Sequence, residues 1–373
     1  MSNLPLFVGV DYHQDQLQLC VIDQAAVVRF NRAVPNDVEH VAGILAGLND
    51  VRAIAIEACT GAASFGEALA GRTTARVELA HPGYVARLKQ SPDKTDFSDS
   101  RLLADLTRVG YLPRVWLPPV EVRDLRQLVN HRQHLVDGRR ALKLKVGAIL
   151  RERRVRIAGS RWSLPWVHQV RDNDAFGPQV KWIVNDLLDE LNHVSFKIKQ
   201  VEKRLTNATK KDEVVKKLKT IEGIGDVTAW MLRAWIGRFD RFKTGKQLSR
   251  YCGLSPRNAS SGKRQADAGL IDAANKQLRA VLIQAGHRLM RTSGRWGQLG
   301  RSLKMRGKPT NVAVAAVANR WVRAMHHQMI DRGSAPNPAS KTSPPKVGRP
   351  EHNDPMTRLD YKPRIGVKNR EPV

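Results

Sequence analysis

Acidic residues are scarce in this chain: 35 Asp and Glu stand against 63 Lys and Arg in 373 residues, leaving a formal net charge of +28. A deficit of that size excludes an ordinary solvated surface and points to a polyanionic partner. Lys and Arg bind phosphates with release of counterions, so affinity for such a partner depends on salt. An anionic membrane is the rival polyanion. The chain, however, has no apolar run near the roughly 20 residues that span a bilayer, and its opening Met1-Ser2-Asn3-Leu4-Pro5 lacks the charged start of a secretory leader. Nucleic acid is the better reading. Cysteine is sparse as well. Cys20, Cys59 and Cys252 are scattered with no CxxC pair, which excludes a disulfide framework and a zinc cluster. They suit a reducing cytosol and read as small buried hydrophobes. There is no phosphate-cradling GxxxxGK[ST] pattern and no internal repeat.

What is present divides along the chain. The first 110 or so residues alternate strand and helix patterns. Leu6–Asp11, Gln16–Ile22 and Ala26–Phe30 read as three consecutive strands. Val38–Leu48 reads as a helix, Val51–Ile56 as a buried strand ending at Glu57, and 63–70 as a helix. Ala75–Leu79 reads as a strand, with helices starting at Tyr84 and Asp96. This order predicts an α/β layer with a mixed sheet.

From Pro119 the pattern turns helical. One seam carries Leu125, Leu128, Leu135, Leu142, Val146 and Ile149, interrupted by Arg132 and Arg139. A second runs unbroken through Val184, Leu187, Leu191, Val194, Ile198, Val201 and Leu205. The two predict an antiparallel hairpin or an oligomerisation arm. Arg139, Arg140 and Lys143 belong to a dense cationic run on the first seam, which suits phosphates better than a plain solvated face. Trp162 and Trp166, in the connecting loop, read as core anchors rather than base-stacking residues. A third helical segment carries turn signals at Gly223–Gly225 and Gly253–Gly269. The last 40 or so residues, rich in Pro, Lys, Arg and Ser, read as a disordered basic tail.

Two constellations carry chemistry. Asp11 ends the first strand, where the end of a neighbouring strand could bring Glu57 beside it; Asp96 and Asp99 are three apart at a helix start and share one side. Clustered carboxylates are costly unless a cation or a proton offsets them, and they are the oxygen donors that hard divalent cations take. One at a time, each acid is more simply a strand-end or helix-dipole acid; together, in this order, they fit a nuclease core. The second constellation is C-terminal. Ile221-Glu222-Gly223-Ile224-Gly225, between two helices, has the helix-hairpin-helix pattern of sequence-independent DNA binding, with Gly223 and Gly225 letting backbone approach a phosphate. Downstream, Ser260 and Ser261 adjoin Gly262, Lys263 and Arg264. A serine hydroxyl attacks phosphorus once the phosphate charge is neutralised, which adjacent cations favour.

Taken together, these motifs make the chain resemble the DEDD-type insertion-sequence transposases related to the Piv invertases, whose N-terminal domain is RuvC-like. The carriers are Val8-Gly9-Val10-Asp11; Ile54-Ala55-Ile56-Glu57 with Thr60-Gly61; Lys94-Thr95-Asp96-Phe97-Ser98-Asp99 with Leu102-Leu103-Ala104; Ile221 to Gly225; and Tyr251-Cys252-Gly253-Leu254-Ser255-Pro256 leading to Ser260-Ser261-Gly262. Cys59 is an extra residue before Thr60-Gly61, and Leu270 to Asn275 lacks the Lys and Gly common before that Asn, although Arg279 is in place.

The resemblance implies an α/β plus all-α protein in four parts. These are an RNase H-like (RuvC-like) catalytic domain at 1–115, a helical hairpin or coiled coil at 116–212, a helical domain with a helix-hairpin-helix and the nucleophilic serine at 213–330, and a tail at 331–373. It further implies Asp11, Glu57, Asp96 and Asp99 as metal ligands for Mg2+ or Mn2+, and Ser261 as nucleophile with Ser260 as its alternate. The implied partners are DNA, an element-encoded bridge RNA and further copies of the chain as a dimer or tetramer, with no membrane, in the cytoplasm and on the nucleoid. Two rival expectations stand beside it: a structure-specific endonuclease using metal-activated water, and a non-catalytic nucleic-acid-binding remnant.

Overall fold

A computed structural model describes residues 4–89, 95–258, 267–272 and 274–330; the basic tail lies outside them. The chain begins with β1 (Leu6–Tyr12), β2 (Gln16–Asp23), β3 (Val28–Pro35), α1 (Val38–Ala46), β4 (Val51–Glu57), α2 (Ala62–Ala70), β5 (Arg76–Ala80), α3 (Pro82–Leu88), α4 (Asp96–Arg108) and β6 (Arg114–Val115). The six strands form one sheet in the order β3-β2-β1-β4-β5-β6. β1, β2 and β3 are antiparallel neighbours, β4 and β5 run parallel to β1, and β6 closes the edge antiparallel. This mixed α/β arrangement is consistent with an RNase H-like domain.

β1 is central because its sequence suits both faces. Val8 and Val10 join the core formed with Leu17, Leu19, Ile54, Ile56 and Leu69. Gly9 faces the other way, where a Cβ would meet the Ser100 carbonyl oxygen at 1.9 Å and the Ala104 nitrogen at 2.5 Å. The missing side chain is what lets α4 lie directly on the strand. The third strand starts two residues later than the sequence suggests. Ala26 takes a positive φ of 65° in the turn, with Asp23 Oδ1 accepting from the backbone of Ala25 and Val27. β6, only two residues long, had no sequence signal.

α5 (Val120–Glu152), α6 (Leu164–Arg171) and α7 (Pro178–Thr209) follow. α5 and α7 are antiparallel partners. Leu142, Val146 and Leu150 pack with Val184, Leu187, Leu188 and Leu191 at one end, and Leu125 and Val129 share a core with Leu205 at the other. On α5 the buried set shifts to Val129 and Leu150 beyond the predicted seam, because a straight helix drifts from a strict seven-residue repeat. Arg132, which interrupts the seam, gives Nε and Nη2 to Glu202 Oε1 at 2.9 and 2.6 Å, so it bridges the two helices. Trp166 is buried and Trp162 packs beside it, ring centroids 4.9 Å apart, as core anchors.

The remainder is α8 (Glu213–Lys219), α9 (Asp226–Ile236), α10 (Gly245–Tyr251), β7 (Pro256–Asn258), β8 (Asp267–Leu270), α11 (Lys276–Leu289), α12 (Arg295–Met305) and α13 (Thr310–Met329). β7 and β8 pair antiparallel, a ribbon in a segment that the sequence presents as turns between helices. Trp230, Trp296 and Trp321 are buried in this core, and the Trp321 indole donates to the Glu222 carbonyl at 2.9 Å. A joint at Trp116 ties the segment to the sheet domain. Trp116, just after β6, lies under Gly237, whose φ of +67° and lack of a Cβ admit the ring. Arg126 and Arg241 stack on Trp116, and Arg241 also covers Phe242 and Tyr251. The two guanidiniums donate to the last carbonyls of α9, at Ala234 and Ile236, where the helix dipole favours cations.

Cys20 and Cys252 are buried as expected, and burial pushes their thiols up to about 11 and about 12. Cys59 departs from that expectation. It is exposed, because it follows the end of β4 in the loop before α2.

Candidate active site

The acidic residues gather where the parallel strands end. The β1–β4 register pairs Val10 with Ile56, so Asp11 and Glu57 follow side by side at the ends of neighbouring strands. Asp11 is 7% exposed and Asp99 4%, while Asp96 stands at the exposed rim. α4 delivers its two acids together. Thr95 caps the helix by accepting from the Ser98 N–H at 3.2 Å, which places Asp96 and Asp99 in the first turn. The turn is then tied down. Asn31 Nδ2 donates to the Phe97 carbonyl at 2.9 Å, and Asn31 Oδ1 accepts from Ser100 Oγ and from Gln18 Nε2.

The electrostatics follow from this crowding. Burial, foremost, raises the Asp11 carboxyl above its ordinary value; Asp96 and Asp99 add to the rise and His13 opposes it. Cys59, although an exposed residue, has its thiol tucked against the Tyr12 carbonyl, and this partial desolvation is the main cause of its raised pKa, with Glu57 and Asp11 contributing. Lys89 Nζ lies 2.5 Å from Asp99 Oδ1 and supplies the buried acid with a counter-charge. His13 Nε2 stands 3.4 Å from Asp11 Oδ2 and 3.4 Å from Asp96 Oδ1. Asp11, His13 and Asp96 thus present three donor atoms within 4.8 Å of one another, a set able to hold a cation. Its two carboxylates and one imidazole suit a divalent ion.

His13, Lys89 and Asn31 escaped the sequence reading. None has a local pattern, since each acts on an element reached only by folding.

The C-terminal candidates are more dispersed. Gly223 holds a φ of +89°, and a Cβ there would meet the Leu289 side chain at 2.8 Å. Gly225 caps α9 in extended conformation, with Asp226 in the first turn paired to Lys219. Arg139 and Arg140 lie on α5 near Lys143, whose Nζ sits 4.8 Å from the centre of the Trp162 ring. Ser260, Ser261, Lys263 and Arg264 lie outside the described residues. The ribbon strands that bracket them, with α10 and α13, line a cavity of about 880 Å3 rimmed by Lys246, Arg320 and Arg323.

A mixed sheet with carboxylates at adjoining strand ends, in so basic a chain, is consistent with the class of RNase H-like nucleic-acid-processing proteins. Residues 8–153 match the family model for DEDD transposases of the IS110 type, described as Transposase, and residues 215–300 match the model described as Transposase IS116/IS110/IS902 family. The chain is 29% identical over 289 residues to the transposase for insertion sequence element IS1111A of Coxiella burnetii, covering 76% of this chain and 78% of that one. It is 26% identical over 332 residues to a probable family 20 transposase of Pseudomonas aeruginosa, covering 85% and 91%. With the transposase for IS1328 of Yersinia enterocolitica it shares 25% over 279 residues, covering 72% and 81%. The chain belongs to the IS110/IS116 family of insertion-sequence transposases, and as a transposase it binds DNA. Among the described residues, no helix is long and apolar enough to cross a membrane.

Proposed function

We propose that the chain cuts and rejoins DNA strands through a covalent serine–DNA intermediate, with Asp11, Glu57, Asp96 and Asp99 as the acidic centre and Ser261 as nucleophile. The observation that carries this reading is the convergence of Asp11, Asp96 and buried Asp99 at one strand end, in a chain of net charge +28. Acids gathered against such a background need a cation to offset them. Mg2+ or Mn2+ held there supplies neutralisation of the scissile phosphate and activation of the attacking hydroxyl.

The chain's own groups divide the rest of the work. Asp11 and Glu57 stand on rigid strand ends, so their oxygens are fixed before DNA arrives. Asn31 and Thr95 hold α4 so that Asp96 and Asp99 face the same volume. Lys89 pairs with Asp99 and gives the buried acid a counter-charge. In the covalent step the Ser261 Oγ–phosphorus bond forms as the bond to the departing strand's oxygen breaks. Rejoining reverses it, so the phosphodiester energy is kept and no nucleotide cofactor is required. Gly223 and Gly225, with Arg139, Arg140, Lys143, Lys263 and Arg264, bind backbone phosphates. The four-part division at 1–115, 116–212, 213–330 and 331–373, a bridge RNA that selects the DNA sites, assembly as a dimer or tetramer, and action in the cytoplasm on the nucleoid complete the reading.

The test uses purified protein, Mg2+, labelled element-end DNA and co-expressed RNA, resolved on a denaturing gel. A protein–DNA adduct lost in both Ser261→Ala and Asp11→Ala is expected. Cleavage without an adduct, persisting in Ser261→Ala, establishes the water-using endonuclease instead. Absence of cleavage with every metal and RNA supplied establishes a binding remnant.

A further inference from the structure

We propose that His13 is a ligand of the cation in the acidic centre, making it a mixed nitrogen–oxygen site that prefers Mn2+ over Mg2+. The proposal rests on the reading of that centre as a metal site and adds a donor to it. Its basis is geometric. A charge-assisted N–H···O bond to a carboxylate is about 2.7–2.9 Å long, and one imidazole N–H points along one direction. His13 Nε2 instead stands at 3.4 Å from each of two carboxylate oxygens on different elements, Asp11 Oδ2 on β1 and Asp96 Oδ1 on α4. That spacing allows an ion pair with a protonated imidazole but is long for a charge-assisted hydrogen bond. It is the spacing of donors around a shared small ion: atoms about 2.1 Å from a cation, at angles between octahedral and tetrahedral, lie roughly 3.0–3.4 Å apart.

The loop that carries His13 is built to hold this position. Between β1 and β2, Asn36 Nδ2 donates to the carbonyls of His13 and Gln14 at 2.8 and 3.0 Å, and the His13 N–H donates to the Gln16 carbonyl at 3.2 Å. Asp99 Oδ1 is engaged by Lys89. The histidine stands where it adds a nitrogen donor beside Asp11 and Asp96. Mn2+ shares the preference of Mg2+ for oxygen donors but stands on the transition-ion series that nitrogen-containing sites follow. Mg2+ demands a near-ideal octahedral shell of oxygens and waters, so an added imidazole favours Mn2+ of the two.

The experiment titrates the metal-free full-length chain with Mn2+ and reads bound ion by electron paramagnetic resonance, with pulsed detection of nitrogen coupling. The expected result is bound Mn2+ with a 14N signal that disappears in His13→Gln, together with about tenfold weaker Mn2+ binding and a smaller loss for Mg2+. His13→Asp should restore affinity without the nitrogen signal, which a merely structural role for His13 would not produce. Thermal unfolding without metal checks that each variant is folded. Bound Mn2+ without nitrogen coupling in the wild type, or coupling that survives His13→Gln, overturns the proposal and leaves the acidic centre standing. If Mn2+ fails to bind, or binds equally well to Asp11→Asn, the metal reading itself fails and the proposal with it.

Discussion

Asp11 shows what a buried acid beside other acids costs a fold. Burial, above all, raises its carboxyl from an ordinary 3.8, with Asp96 and Asp99 adding and His13 opposing. Between the unfolded and folded values the native state holds a proton that the unfolded chain has released. Stability from this group is therefore present at low pH and lost as pH rises through the folded value. Above the folded value the ionised, buried Asp11 disfavours folding. Asp11→Asn should accordingly melt somewhat higher than the metal-free wild type at neutral pH, with the gap shrinking as pH is lowered; calorimetry across the acid range reads both. A lower melting point at pH 7 would show that Asp11 stabilises the fold as an ordinary partnered acid. The placement of the four acids was legible in the sequence because strand ends and an i, i+3 spacing are local signals. His13, Lys89 and Asn31 were not: Asn31 meets Phe97 across 66 residues, and nothing near either residue announces the meeting.

At the scale of elements, the sheet was legible because strand and helix periodicities differ, and β1, β2, β4 and α4 fall within a residue or so of where their patterns place them. The long seams named the hairpin but left open whether α7 pairs with α5 or with another copy; the shared core and the Arg132–Glu202 bridge assign it to α5. The β7–β8 ribbon was invisible, since strands of three and four residues are too short to show alternation. The contact of β1 with α4 yields a sharp prediction. Gly9→Ala puts a methyl group into the backbone of Ser100 and Ala104, so α4 must move and carry Asp96 and Asp99 with it. We expect a loss of about 3 kcal/mol in denaturant unfolding, the upper range for overpacking, along with abolished strand cleavage. A Gly9→Ala protein of unchanged stability would mean that α4 is not seated as described.

Across the whole molecule the excess of cations is unevenly committed. Arg132 bridges the hairpin and Lys143 also covers Trp162, so these two serve packing as well. Arg139→Gln with Arg140→Gln should lower the salt dependence of DNA binding by about two in the log–log slope. Lys143→Ala should lower the melting temperature in addition to weakening DNA binding. A double variant with an unchanged slope would place the phosphate track elsewhere. The joint at Trp116 has a different consequence. Two guanidiniums interleaved with four aromatic rings and seated on the carbonyls at the end of α9 have no stable half-open arrangement, because partial separation strands buried donors and acceptors without partners. The sheet domain and the C-terminal helices should therefore melt in one transition, although each has its own core. Trp116→Ala should split the calorimetric peak in two. Cooperativity of this kind means that heat, or a mutation weakening one core, removes the acidic centre and the serine-bearing segment together, so a damaged transposase falls silent instead of becoming a free-running nuclease.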